Sequence, residues 1–88
     1  MKEKTVTILL PDGIHARPAA IFVQKASSYP DTSIKIKRNG VEVDAKSIMN
    51  IMMLALTHGS EITIVAEGKE EDKAIEELST LVNNNFNI

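Results

Sequence analysis

The chain has 88 residues, 43% of them hydrophobic and 25% charged, with a formal net charge of −2. This length supports one modest core, expected as a single domain over 1–88, and the balance is that of a soluble globular protein with no basic field for gripping nucleic-acid phosphates. With no cysteine, disulfides and thiolate metal sites are excluded.

The start, MKEKTVTI, lacks the apolar segment of an export signal. The longest apolar-rich run, Ile48 to Leu56, falls far short of the roughly 20 residues that cross a bilayer. The expected location is therefore the cytoplasm.

In KTVTILL, Val6 and Ile8 alternate with threonines ahead of a Pro-Asp-Gly breaker, the pattern of a strand with one face buried. From Ala16 to Ser28 the period becomes helical, with Ala19, Phe22, Val23 and Ala26 on one stripe and SSYPD as the stop. Ile34, Ile36, Val41 and Val43 then alternate with charged residues around Asn39-Gly40, a dipeptide that favours a two-residue hairpin turn. That turn sets Lys37 opposite Glu42 and Lys35 opposite Asp44, so charge and packing ask for one register.

Ser47 to Leu56 reads as a second, short helix, followed by the break THGS, where His58 before a glycine is a common way to finish a helix. EITIVAE supplies a fourth strand with Ile62, Ile64 and Ala66 in phase. In KEEDKAIEELSTLV, acids open a third helix whose stripe is Ala74, Ile75, Leu78, Leu81 and Val82. The order is βαββαβα: an α+β arrangement with three helices on one sheet face and the other face wet.

LPDGIHARPAA, Leu10 to Ala20, carries the chemistry. The first amides of a helix lack intrahelical partners and, with the dipole, favour an anion. Pro18 suits the first turn and has no N–H, leaving Ala16 and Arg17 as donors beside His15. Gly13 is expected to permit backbone conformations that a side chain would forbid and to clear the approach to the imidazole, which the small Ala16, Ala19 and Ala20 leave uncluttered. A nucleophilic imidazole needs an unprotonated nitrogen, and a neighbouring cation and a helix N-terminus both disfavour the imidazolium. The same groups would then stabilise an attached phosphoryl group. A plainer reading makes His15 a polar cap residue and Arg17 a solvated cation, although a first-turn cation is mildly unfavourable for a helix.

The segments GIHARPAA, AKSIM and GSEITI, at these spacings, resemble the histidine-containing phosphocarrier (HPr) family of the bacterial phosphoenolpyruvate-dependent sugar phosphotransferase system, and the likeness runs along nearly the whole chain. The resemblance implies an open-faced β-sandwich with an antiparallel sheet in the order 1-4-2-3. It implies that His15 accepts a phosphoryl group on Nδ1 from phosphorylated Enzyme I, assisted by Arg17, and passes it to a sugar-specific IIA component. On this reading the protein is a monomeric, stoichiometric carrier that needs no cofactor or metal and is not a turnover catalyst.

Ser47 sits where a helix N-cap is wanted. In relatives from low-GC Gram-positive bacteria, a serine at this place is modified by an ATP-dependent HPr kinase/phosphorylase, and the product binds a catabolite control repressor; Lys46 and Ile48-Met49 favour that branch. Phosphate there would add about −1.5 to −2 charge and is expected to slow acceptance from Enzyme I. Residues 48–56 carry more apolar side chains than one inward stripe absorbs, so a docking patch is expected from Ile48, Met49 and Met52, with Ile21 of the first helix beside it. Three departures from many relatives stand out: Asp12 replaces a small neutral residue, Asn50 and Ala55 replace glycines, and Tyr29 to Thr32 runs one residue longer. Alternatives left open are the nitrogen-regulatory branch of the family, a regulatory paralogue acting through Ser47, and a small α/β domain acting on a phosphorylated small molecule.

Overall fold

The computed structural model describes residues 1–86. Its elements are β1 (Lys2–Thr7), α1 (Ala16–Ser27), β2 (Thr32–Arg38), β3 (Val41–Asp44), α2 (Ile48–Met53), β4 (Glu61–Gly68) and α3 (Glu71–Asn83). The sheet is antiparallel in the order β1-β4-β2-β3, an α+β open-faced sandwich.

β1 starts two residues before the expected strand and ends at Thr7. The pairing nevertheless continues, because the Ile8 N–H donates to Ser60 O at 2.8 Å and the Gly59 N–H to Ile8 O at 2.8 Å. The β2–β3 register pairs Lys35 with Asp44 and Lys37 with Glu42, as the Asn-Gly turn requires. The side chains depart from that pairing. Both lysines reach Glu42, at 3.6 and 3.9 Å, while the Asp44 carboxylate accepts from the Lys46 N–H at 2.9 Å.

The inward stripes meet in one core. Val6, Ile34, Ile36, Ile62 and Ile64 from the sheet pack with Ala19, Phe22 and Ala26 of α1, Ile51 of α2 and Ile75, Leu78 and Val82 of α3. Each fully buried aliphatic side chain contributes about 1.5–3 kcal/mol by leaving water. Phe86 extends this core past α3, its ring edge-on to Phe22 with centroids 6.4 Å apart. The opposite sheet face is not uniformly wet. Val65 points away from Ile64 yet is only 7% exposed, because it lies on a central strand between Glu3 and Lys35 in register.

The second helix is shorter than its apolar run, ending at Met53 with Leu54 as C-cap. Ala55 follows with φ 51°, the left-handed conformation that commonly closes helices. His58 therefore does not finish α2. It lies in the next turn, its Nδ1 3.3 Å from Leu9 O. The end of α2 is held instead by Arg38, whose Nη1 donates to Leu54 O at 2.8 Å and Ala55 O at 3.1 Å. This tie satisfies carbonyls that the helix leaves free.

Candidate functional site

His15 is the N-cap of α1, in extended conformation with φ −115° and ψ −167°. Its carbonyl accepts the first helical bond, from Ala19 N–H at 3.1 Å. Its side chain makes no capping bond, and the imidazole is exposed with no hydrogen-bond partner among the described residues. Both ring nitrogens thus face solvent uncommitted.

Pro18 and Ala19 are buried, whereas Ala16, Arg17 and Ala20 are exposed. The first turn is therefore anchored by its inner side and leaves its outer side open. Among the described residues, the Ala16 and Arg17 amides have no hydrogen-bond partner, and the Arg17 guanidinium makes no ion pair or hydrogen bond. Two amides without protein partners and an unpaired cation, all within two residues of His15, are groups able to meet an anion such as a phosphoryl group. The exposed Asp12 carboxylate is likewise without an ion-pair partner among the described residues.

Gly13 takes a backbone conformation that a side chain would disfavour, as expected, but it does not clear the approach to the imidazole. It is buried, with φ 70°, and a Cβ there would run into the Leu56 carbonyl and lie 2.8 Å from Thr57 Cα. The missing side chain makes room for backbone rather than for an approaching partner. The neighbouring Ile14 N–H donates to Leu56 O at 2.9 Å, and the Gly13 N–H to Leu10 O at 3.0 Å. The loop that presents His15 is thereby fastened to the segment leaving α2.

Ser47 is the N-cap of α2, its Oγ accepting from Asn50 N–H at 3.3 Å. Lys46 beside it is committed elsewhere, with its Nζ donating to Tyr29 O at 2.8 Å and Thr32 O at 2.7 Å. Beyond Ser47, Ile51 turns into the core at 1% exposure, while Ile48 (43%), Met49 (72%), Met52 (41%) and Met53 (74%) remain in solvent. Ile21, half-buried, lies on α1, which packs against α2. The four residues anticipated for the patch are placed on these two adjoining helices. Met53 is the addition, legible in hindsight from its i, i+4 relation to Met49.

Among the described residues, no three His, Cys, Asp or Glu side chains converge as metal ligands, and no helix is long and apolar enough to cross a membrane.

An exposed histidine thus opens the first helix of an open-faced α+β sandwich. The family model described as "PTS HPr component phosphorylation site" matches residues 2–84. The chain is 44% identical to the phosphocarrier protein HPr of Treponema pallidum, covering 98% of this chain and 97% of that protein. It is 40% identical to the HPr-like protein Crh of Bacillus subtilis, over 93% of this chain and 95% of Crh. A crystal structure of HPr from Thermoanaerobacter tengcongensis superposes with a TM-score of 0.93 at 43% identity, covering 98% and 96% of the two chains. The dimer of that protein gives 0.78 at 42% identity, with both chains fully covered.

The chain belongs to the HPr family of phosphotransferase-system phosphocarriers.

Proposed function

We infer that this protein carries phosphoryl groups on His15 Nδ1, taking them from phosphorylated Enzyme I and delivering them to a histidine of sugar-specific IIA components. The single observation that supports this most is the solvent-facing imidazole with no partner, next to the free Ala16 and Arg17 amides and the Arg17 guanidinium. In loading, the ring nitrogen attacks phosphorus, the N–P bond forms as the donor's bond to phosphorus breaks, and the added charge is met by the guanidinium and amides. On this reading the protein is a carrier consumed and regenerated by its partners rather than an enzyme with turnover.

The exposed face of Ile48, Met49 and Met52, with Ile21 beside it, is the docking surface for these partners on this reading. Ser47 adjoins it. Phosphorylation there by an HPr kinase/phosphorylase places charge next to an apolar contact, slowing acceptance from Enzyme I and creating the form a catabolite control repressor binds. The working location is the cytoplasm, and the working state is a single-domain monomer; light scattering across a concentration series tests the latter against a dimer.

The deciding experiment incubates purified protein with Enzyme I and phosphoenolpyruvate, then separately with ATP and the kinase, and maps acid-labile and acid-stable phosphate. Label on His15 in the first arm and on Ser47 in the second is expected. His15→Ala, which removes no side-chain hydrogen bond among the described residues, should remain folded and take no label from Enzyme I; labelling of this variant would refute the acceptor. Loading by a nitrogen-branch Enzyme I in place of the sugar-system one would reassign the branch.

A further inference from the structure

All four methionines of this chain are in solvent: Met1 at 74%, Met49 at 72%, Met52 at 41% and Met53 at 74%. The core is built without the residue type best suited to filling irregular gaps. Three of the four are spaced i, i+3 and i+4 on the six residues of α2, so their thioethers share one face. With no cysteine in the chain, the four methionine sulfurs are its only sulfur atoms open to oxidation, and three of them lie here.

We propose that Met49, Met52 and Met53 form a reversible oxidation site, and that their sulfoxides weaken docking on α2. The co-reactant is a peroxide. A thioether lone pair attacks one oxygen of hydrogen peroxide; the S–O bond forms as the O–O bond breaks, the leaving hydroxide takes the proton of the transferred oxygen to become water, and sulfur is oxidised by two electrons as the peroxide is reduced by two. The product is polar and rigidly dipolar where the thioether was apolar and adaptable. Because none of the three belongs to the buried core, the change falls on the surface and leaves the fold standing. The buried Ile51 keeps α2 seated.

This inference rests on the reading of α2 as the Enzyme I docking face, so the test separates the two. The protein is treated with hydrogen peroxide, the peroxide is removed with catalase, and peptide mass spectrometry counts the oxygens gained in α2. Initial rates of His15 labelling by Enzyme I and phosphoenolpyruvate are then compared with those of untreated protein. Expected are oxidation of Met49 and Met53 ahead of Met52, an unchanged circular dichroism melting curve, and a fall in labelling rate of about five-fold or more at limiting carrier, the scale of losing an interface anchor. Methionine sulfoxide reductase should restore the rate. A triple Met→Leu variant should show a treated-to-untreated ratio of one, whatever its own rate. Equal rates before and after full oxidation would overturn the proposal, as would unfolding on oxidation. Absence of labelling in the untreated protein would overturn the carrier reading instead.

Discussion

Ala55 has φ 51° immediately after the C-cap of α2, where a Cβ crowds the backbone and glycine is the usual occupant. Ala55→Gly should raise stability by about 0.5–1 kcal/mol, since relief of this strain exceeds the entropy that glycine adds to the unfolded chain. Urea denaturation checks this, and an unchanged or lower midpoint at equal m-value would contradict it. Glu71 makes a second residue-scale case. The Met1 α-ammonium, 3.0 Å from its Oε2, and then the Gly68 N–H hold its carboxyl below the usual glutamate value. A lowered native value means that the unfolded chain takes up the proton first as pH falls. The contribution of Glu71 is therefore fully present above the ordinary glutamate range and is lost as pH drops through the lowered native value. A ¹³C titration of the Glu71 carboxyl should give a lower midpoint in the native protein than in urea, and Glu71→Gln should abolish that part of the acid-side stability slope. Neither feature announces itself in the sequence, because a positive φ and an amine-to-carboxylate distance are products of packing.

At the scale of elements, the His15 loop is the part whose logic changed most. Gly13 was legible as a glycine ahead of a helix, but its neighbours, Leu56 and Thr57, lie more than 40 residues away in sequence, and only the fold brings them together. Gly13→Ala should therefore cost more than about 2 kcal/mol, combining left-handed strain with a backbone clash. Gly40→Ala, at φ 82° with nothing within 4 Å of the added carbon, carries only the conformational part, about 1 kcal/mol. Paired urea titrations distinguish the two, and equal losses would show that the Leu56 approach does not matter. The elements themselves were largely readable. Alternation located β2, and the 3.6-residue period located α1 and α3, because each has one buried face; β3, an edge strand with no buried residue and Val41 52% exposed, was located by the Asn39-Gly40 turn. α2 was overextended to Leu56 because Leu54 and Leu56 continue the apolar run, although the helix had already ended at Met53.

Across the whole molecule, Leu78 lies in the core where α3 covers the sheet, at 0% exposure. Leu78→Ala should cost about 2–5 kcal/mol through lost transfer energy and a cavity. For a chain of this size that corresponds to a fall of roughly 10 °C or more in thermal midpoint. A shift of only a few degrees would mean that the core closes around the gap. His15→Ala, by contrast, should leave the midpoint nearly unchanged, since its side chain anchors nothing among the described residues. The proposed carrier chemistry and fold stability thus rest on separate side chains.

The sequence by itself determined most of the residues that face inward, where the hairpin turns, and that His15 and Arg17 stand together at a helix start, because periodicity, turn chemistry and capping are local rules; Val41, in phase with Val43, is nonetheless 52% exposed on the edge strand. Tertiary structure alone decided that the His15 loop is fastened to the end of α2 and that Arg38 closes that helix. Each of these depends on which distant backbone groups and faces meet, and a contact between segments far apart along the chain leaves no mark in the spacing of either one.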